Sequence, residues 1–462
     1  MPEKGFDPEL VRRYDVPGPR YTSYPTARQF SPAVNEAAYL RAVARSNEDF
    51  IPSALSLYVH LPFCASPCFY CACNRLITNN PQVVAAYLRR LHREIAQQGR
   101  GFDRDRLVRQ LHFGGGTPTH LSDTQLQELF TTLRDSFHFA SDAPTEFSIE
   151  VDPRSVDAAR MGRLAALGFD RVSYGFQDLD PKVQQAVNRV QDAEHCLGLI
   201  PAARQAGFRS VSVDLIYGLP FQTEAGFGAT LAAVAAARPD RVAIYAYAHM
   251  PVQFPVQRRM RREDLPDAEL RSRLLTLAVE KLTGAGYVYI GMDHFALPDD
   301  DLVQAQAAGT LQRNFQGYST LSGLDLVGLG LTAIGHVGDV YAQNAKKLDD
   351  YYAALDGGRL AVKRGYQLSA DDRVRADVIG RLMCYDELHF ADIERAHDLE
   401  FTRYFAPEME KLAALQADGL VRIGEDGIAV LPRGRYLRRA LGMAFDVYFP
   451  QTTASPGYSR VI

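Results

Sequence analysis

From about residue 55, the sequence alternates apolar, strand-like runs with amphipathic helical segments, and this alternation limits the possible folds more than any other feature. The runs are mostly continuous, which is typical of parallel strands covered on both faces. They are LSLYVHLP (55–62), LVRQLHFGGG (107–116), TEFSIEVDP (145–153), RVSYGFQ (171–177), SVSVDLIYGLP (210–220) and RVAIYAYAH (241–249). Because parallel strands need right-handed crossovers, six consecutive units predict an α/β fold, a partial (β/α)6 barrel whose functional residues gather at the carboxyl ends of the strands.

The regions before and after the barrel differ from it in pattern, so three domains are predicted. Residues 1–54 have few strand signals and form an N-terminal extension that contains GPRYTSYPTARQF (18–30). Residues 55–365 form the barrel and its own extension. Residues 366–462 are predicted to be a mainly helical, winged-helix-like C-terminal domain with a small β-hairpin at LVRIGEDGIAVLP (420–432).

The composition, 47% hydrophobic and 23% charged, is that of an ordinary soluble globular protein. A net charge of −4 gives no support to binding of nucleic acid or of an anionic membrane surface. No apolar run approaches the length of a membrane span, and no signal-peptide pattern is visible, so a cytoplasmic protein is expected. In a reducing compartment, clustered cysteines indicate metal binding or catalysis rather than disulfides.

Four of the six cysteines stand close together directly after the first strand. Cys64, Cys68 and Cys71 have the spacing C-x3-C-x2-C, and Cys73 follows. Three thiolates on one loop can hold three corners of an iron–sulfur cube and leave the fourth iron open to a small molecule. Structural zinc sites usually use two separated ligand pairs, and ferredoxins use four cysteines in other spacings. The pattern therefore predicts an open iron–sulfur cluster.

Two further features are expected at the same end of the barrel. The glycines of FGGGTPTHL (113–121) follow the second strand and allow close approach of the backbone to a polar ligand. Glu150 ends the third strand and is a candidate for binding a ribose diol. Cys196 and Cys384 are isolated in helical patterns and are expected in the core.

These motifs resemble those of the radical S-adenosylmethionine superfamily, and within it the oxygen-independent coproporphyrinogen III oxidases. The resemblance extends from residue 19 to about residue 344. It rests on PRYTSYPTA (19–27), C-x3-C-x2-C-x-C-N (64–74), FGGGTPT (113–119), IEVDPR (149–154), VSYGFQ (172–177), VDLIYGLP (213–220), YAH (247–249), RNFQGY (313–318) and YAQN (341–344).

The resemblance implies a site with one 4Fe-4S cluster and two molecules of S-adenosylmethionine. Cys64, Cys68 and Cys71 would be the cluster ligands. The first S-adenosylmethionine would be contacted by Tyr58, Gly115, Glu150 and Ile334. The second would be contacted by Tyr70, Gly116, Thr117, Gln177, Arg189, Asp214 and Ala248. Tyr70 and Ala72 stand where other members often carry Phe and Gly, which keeps an aromatic face and a small residue.

The implied reaction converts two propionates of coproporphyrinogen III into vinyl groups through a 5′-deoxyadenosyl radical, giving protoporphyrinogen IX for haem synthesis. An electron donor such as flavodoxin or ferredoxin is expected, with no nucleic-acid partner, no membrane span and a monomeric state. Cys73 would be a thiol near the reaction rather than a ligand, because a fourth ligand would close the cluster. Arg20, Tyr21 and Tyr24 are candidates for a lid that binds substrate propionates.

Two other functions compete with this interpretation. Haem chaperones of the same superfamily bind and deliver haem, but they carry Phe at the position of Cys73 and lack PRYTSYPTA. A redox-sensing or nucleic-acid-binding protein would use the winged-helix-like tail. A pI near 6.3 without a dense basic stripe gives that function little support.

Overall fold

A computed structural model describes residues 7–141, 145–449, 458 and 460. Parts of all three predicted domains lie outside the described residues, namely 1–6 of the N-terminal extension, 142–144 of the barrel domain, and 450–457, 459, 461 and 462 of the C-terminal domain. Two helices precede the barrel, α1 (Pro8–Tyr14) and α2 (Glu36–Asn47). None of the helices in the described ranges is long and apolar enough to cross a membrane.

The six predicted βα units are all present. Their elements are β1 (Leu55–Leu61), β2 (Phe63–Cys64), β3 (Leu76–Ile77), α3 (Pro81–Gly99), β4 (Leu107–Gly115), α4 (Asp123–Ser136), β5 (His138–Phe139), β6 (Glu146–Val151), α5 (Ala158–Leu167), β7 (Arg171–Gln177), α6 (Pro181–Ala186), α7 (Ala193–Gln205), β8 (Ser210–Tyr217), α8 (Glu224–Ala237) and β9 (Arg241–Ala246). The fold class is confirmed.

The barrel extension contains α9 (Ala268–Gly284), β10 (Val288–Gly291), β11 (His294–Ala296), α10 (Asp301–Ala307), β12 (Gln312–Asn314), β13 (Gly317–Ser319), β14 (Asp325–Leu329), β15 (Ile334–Val337), β16 (Val340–Asn344), α11 (Leu348–Asp356) and β17 (Val362–Gln367). Most of its strands continue the same sheet, while β12 and β13 pair only with each other. The sequence suggests one strand over 287–297, and this is wrong. Met292 and Asp293 both have positive φ, 45° and 75°, and turn the chain into the β10–β11 hairpin.

Seven parallel strands form the central sheet, in the order β9-β8-β7-β6-β4-β1-β14. Antiparallel strands lie outside both ends, β11 beside β9 and β15 beside β14, so the barrel stays open. Leu57, Val59, Val213 and Ile244 are fully buried on these strands. Each such side chain stabilises the fold by about 1.5–3 kcal/mol.

Local signals set the ends of the crossover helices. Ser122 and Gln125 form a reciprocal capping box at the start of α4. Gly168 ends α5 in the left-handed conformation, with φ 109°. Both signals can be read from the sequence, and they mark the start of α4 and the end of α5.

The hairpin of β12 and β13 fills the amino end of the barrel interior. Gln110 on β4 donates hydrogen bonds to Glu146 on β6 and to Ser319 on β13, both at 2.9 Å. It also accepts one from Ser56 on β1, at 2.7 Å. Ser319 therefore lies inside the barrel, among polar side chains of β1, β4 and β6.

The C-terminal part contains α12 (Ala370–Cys384), β18 (Glu387–His389), α13 (Phe390–His397), α14 (Phe401–Tyr404), α15 (Ala406–Ala417), β19 (Val421–Ile423), β20 (Gly427–Val430) and α16 (Arg438–Phe445). The predicted hairpin is β19–β20, and β18 adds a third strand to it. The N-terminal segment packs on α16, where Arg439 donates to the carbonyl of Pro19 at 2.8 Å.

Candidate active site

A cavity of about 540 Å³ lies at the carboxyl ends of the parallel strands. Twelve of the residues singled out from the sequence line it together: Cys64, Cys68, Tyr70, Cys71, Cys73, Gly115, Gly116, Thr117, Glu150, Gln177, Arg189 and Asp214. The βα alternation produces this grouping, because the carboxyl ends of parallel strands meet at one edge of the sheet.

Three predicted cofactor contacts lie outside that lining. Tyr58 sits on β1, where its hydroxyl is 3.0 Å from His60 Nδ1 and its ring stacks on His112. Ile334 begins β15. Ala248 lines a separate cavity of about 890 Å³ beyond β9.

A single side chain connects the two cavities. Gln257 donates hydrogen bonds to the carbonyls of Tyr70 and Ala248, at 3.1 and 3.2 Å. The side chain of Gln257 therefore links Ala248 to the cysteine loop through two hydrogen bonds.

The predicted lid residues divide into two groups. The Tyr21 hydroxyl donates to Asp446 at 3.1 Å, and the Tyr24 hydroxyl accepts from the Val447 N–H at 3.3 Å. Both rings are buried, so they attach the N-terminal segment to the C-terminal part. The Arg20 guanidinium faces the barrel instead, 5.9 Å from the Tyr245 ring centroid.

Arg75 fixes the conformation of the cysteine loop. Its guanidinium donates to the carbonyls of Cys68, Cys71 and Cys73 at 3.1–3.3 Å. Sequence reasoning assigned no role to this arginine, although it follows the cysteine motif directly. Three carbonyl contacts from one side chain orient the loop so that its thiols face the cavity.

Positive charge and hydrogen bonding surround the thiols. Arg189 Nη1 lies 3.4 Å from Cys68 Sγ. A hydrogen bond from Cys73, together with Arg75 and Arg189, lowers the pKa of Cys71 to about 6. Burial raises the pKa of Cys64. The thiolate is the metal-binding form of cysteine, so the surroundings of Cys71 favour ligation.

The donor set fits a polynuclear cluster better than a single ion. Within the described part of the chain, no three His, Cys, Asp or Glu side chains are close enough to hold one metal ion. A zinc ion would need thiolates about 4 Å apart, because each Zn–S bond is about 2.3 Å. Three cysteines on one loop supply the number of thiolates that an iron–sulfur cube with one open iron needs.

Gly115 and Gly116 bring the β4 backbone against the cysteine strand. A Cβ on Gly116 would lie 2.7 Å from the carbonyl oxygen of Phe63. Gly115 has φ 116°, and its N–H donates to Glu150 Oε2 at 3.0 Å. Neither position has room for a larger residue.

Glu150 is held as a carboxylate at the cavity wall. Burial opposes its ionisation, but His112 at 3.3 Å and the Gly115 N–H outweigh burial and lower the pKa of Glu150. Asp214 has the opposite shift. Burial, with the nearby charge of Glu150, raises its pKa to about 7.

Several lining residues were not identified from the sequence. Asp152 accepts from Arg189 at 3.1 Å and from Arg154 at 2.7 Å. Asp152 and Arg154 lie within IEVDPR, so the motif itself was the available signal. Ser173 and Tyr245 also line the cavity, but nothing in their local sequence distinguishes them from other strand residues.

Comparison with known proteins identifies the family. A model described as "Radical SAM superfamily" matches residues 58–234, and one described as "HemN C-terminal domain" matches residues 368–437. The oxygen-independent coproporphyrinogen III oxidase of Pseudomonas aeruginosa is 49% identical over 460 residues, which cover 99% of each chain. The chain belongs to the oxygen-independent coproporphyrinogen III oxidase family.

Other members of the oxygen-independent coproporphyrinogen III oxidase family agree over the same length. The Escherichia coli protein is 46% identical over 99% of this chain and 98% of its own. The solved structure described as coproporphyrinogen III oxidase (HemN) from Escherichia coli, a radical SAM enzyme, superimposes with a TM-score of 0.91. That match has 45% identity and covers 96% of this chain and 99% of the other. Membership of the superfamily implies a 4Fe-4S cluster and S-adenosylmethionine.

Proposed function

We propose that this protein converts coproporphyrinogen III into protoporphyrinogen IX, in haem synthesis in the cytoplasm. The observation that carries the proposal is the single cavity that joins Cys64, Cys68 and Cys71 to Gly115 and Glu150 at the carboxyl ends of the strands. The family relationship over the full length of the chain supports the same activity.

Cys64, Cys68 and Cys71 hold the cluster in this proposal. The cluster and S-adenosylmethionine together supply, when bound, the one-electron chemistry that abstracts a hydrogen atom from the substrate. Arg75 fixes the loop, and Arg189 places positive charge beside Cys68. These two arginines keep the thiolates oriented and stabilise their negative charge.

Two groups of residues bind two molecules of S-adenosylmethionine. The first is bound by Tyr58, Gly115, Glu150 and Ile334, and the carboxylate state of Glu150 suits a ribose diol. The second is bound by Tyr70, Gly116, Thr117, Gln177, Arg189, Asp214 and Ala248. The shared cavity supports most of this assignment, and Gln257 connects Ala248 to Tyr70.

Each propionate loses one hydrogen atom from its β-carbon, then CO2 and one electron, and a vinyl group remains. Cys73 acts beside the cluster without ligating it. Arg20 binds a substrate propionate, while Tyr21 and Tyr24 hold the lid segment on the C-terminal part. A closed site excludes water that would otherwise quench a radical.

Several finer features complete the proposal. The domains are the N-terminal extension (1–54), the barrel with its extension (55–365) and the C-terminal domain (366–462). The protein acts as a monomer and takes electrons from a flavodoxin or a ferredoxin. Arg259, 5.5 Å from the Phe69 ring centroid in the cysteine loop, contributes to a basic surface that suits an acidic donor.

A direct assay tests the function. The cluster is reconstituted anaerobically, and reductant, S-adenosylmethionine and coproporphyrinogen III are added. Protoporphyrinogen IX and 5′-deoxyadenosine are the expected products. Cleavage of S-adenosylmethionine without any vinyl product would contradict the proposed substrate and leave the superfamily assignment intact.

A further inference from the structure

Arg313 on β12 is a half-buried arginine without a counter-ion in the described structure. Its Nε and Nη1 atoms are shielded from solvent and have no hydrogen-bond partner there. None of the ion pairs among the described residues includes it, and its guanidinium carbon lies 4.9 Å from the ring centroid of Tyr318. Burial of an unpaired charge is costly, so this arrangement needs an explanation.

Three buried arginines of this protein have carboxylate partners. Arg106 pairs with Asp325, and Arg171 pairs with Asp301 at 2.5 Å. Arg189 pairs with Asp152 at 3.1 Å. Arg313 differs from these three arginines in having no carboxylate partner among the described residues.

Three neutral rings in contact, those of Tyr318, His294 and Tyr245, lead from Arg313 to the cofactor cavity. The Tyr318 ring lies edge-on to His294 with centroids 5.2 Å apart, and His294 lies edge-on to Tyr245 at 5.9 Å. Tyr245 itself lines the cavity of the cysteine loop. Burial lowers the pKa of His294 to about 3, and Arg313 contributes to this shift, so the imidazole is neutral.

A second guanidinium, that of Arg20, lies beside the same group of rings. Arg20 is 5.9 Å from the Tyr245 ring centroid and 3.7 Å from Asp293 Oδ2. A distance of 3.7 Å is long for a charge-assisted hydrogen bond. Arg20 and Arg313 thus provide two cationic groups in a mostly aromatic space next to the cofactors.

We propose that Arg313 binds a propionate carboxylate of the tetrapyrrole and so positions the macrocycle against the cofactor cavity. This inference rests on the proposed function. The planar guanidinium matches a carboxylate bidentately, and the rings of Tyr245, His294 and Tyr318 offer flat apolar surface to a large ring system. The charge that is unpaired in the free protein gains its partner when substrate enters.

The test measures binding rather than turnover. Coproporphyrin III, the oxidised and unreactive form of the macrocycle, is titrated into the reconstituted holoenzyme and followed by its fluorescence. Arg313→Gln is expected to weaken binding about 10- to 100-fold, the loss for a charge-assisted hydrogen-bonded pair. Arg313→Lys keeps the charge without the bidentate geometry, and binding is expected to be intermediate. Arg104→Gln changes an exposed arginine in the loop before β4, and this variant is expected to bind as the wild type does.

Two further measurements separate binding from a structural role. The tetramethyl ester of coproporphyrin III has no carboxylates, so its affinity is expected to be the same for wild type and Arg313→Gln. Because the substitution removes an unpaired buried charge, the Tm of the free protein is expected to stay level or rise. An unchanged affinity of Arg313→Gln and Arg313→Lys for coproporphyrin III would overturn the inference. So would a fall in Tm accompanied by equal weakening for acid and ester. Failure of the wild type to bind coproporphyrin III would contradict the proposed function itself.

Discussion

The guanidinium of Arg189 lies 3.4 Å from the sulfur of Cys68 and 3.1 Å from the carboxylate of Asp152. A third hydrogen bond joins it to the carbonyl of Gly175 at 2.6 Å, at the carboxyl end of β7. One buried side chain therefore ties the cysteine loop to the sheet. It also places its positive charge beside the sulfur of Cys68.

Replacement of Arg189 should affect both stability and the cluster. Arg189→Gln leaves Asp152 with Arg154 as its remaining ion-pair partner in the described structure. We expect the free energy of unfolding to fall by about 3 kcal/mol, as for other broken buried pairs. The loss of positive charge should make the reduction potential of the cluster more negative, which an EPR-monitored redox titration measures. Arg163→Gln, an exposed partner of Asp123, serves as the control, and an unchanged potential in Arg189→Gln would contradict the assigned role.

The four clustered cysteines should separate into three ligands and one other thiol. Serine variants of Cys64, Cys68 and Cys71 are expected to lose most bound iron, because an alcohol is a poor substitute for a thiolate ligand. Cys73→Ser should retain iron and lose turnover. Iron content and product formation are measured on each reconstituted variant. Cys196→Ser changes a buried core thiol and serves as the control, and loss of iron from Cys73→Ser would make that residue structural.

The sequence predicts the parallel part of the fold well because continuous apolar runs, helix caps and the thirty-residue spacing are local signals. β14, which pairs in parallel with β1, was missed. Its run, LVGLGL, is rich in glycine and follows a region of mixed pattern. Its place in the sheet depends on long-range pairing of Leu55 with Asp325, which no local window contains.

The same limit applies to the site. Motifs identified the cysteines, the glycines of β4 and Glu150, because these residues lie within short conspicuous runs. Arg313 also lies in a quoted motif, yet its lack of a carboxylate partner is a tertiary property. The attachment of Tyr21 to Asp446 spans more than 400 residues and likewise depends on packing.

Asp214 should make the stability of the unloaded protein depend on pH. Its pKa is about 7 in the folded protein and lies near the ordinary aspartate value of 3.8 when unfolded. The folded state therefore binds the proton more tightly, and stability falls as pH rises from about 4 to 7. We expect this loss to be on the order of 2 kcal/mol, after allowance for water in the cavity.

Asp214→Asn is expected to remove most of that dependence. Denaturant unfolding of wild type and variant at pH 5 and pH 8 measures the difference in stability. Asp299→Asn changes an exposed carboxylate and should follow the wild type at both pH values. Equal slopes for wild type and Asp214→Asn would show that Asp214 does not titrate in this range.

Gly116 should tolerate no side chain, because its Cβ would meet main-chain atoms that cannot move aside. The new carbon would lie 2.7 Å from the Phe63 oxygen and 2.7 Å from the Pro62 carbonyl carbon. Gly116→Ala is expected to lower the free energy of unfolding by about 1–3 kcal/mol and to shift the cysteine loop, with lower iron retention.

Gly162→Ala is the matched control, since Gly162 lies inside α5 with nothing within 4 Å of its Cβ position. That variant should gain about 0.5–1 kcal/mol of stability and keep its iron, because alanine is the better helix residue. The two variants could instead show the same free energy of unfolding and the same iron content. That result would contradict the idea that the close approach of β4 to the cysteine strand fixes the conformation of the loop.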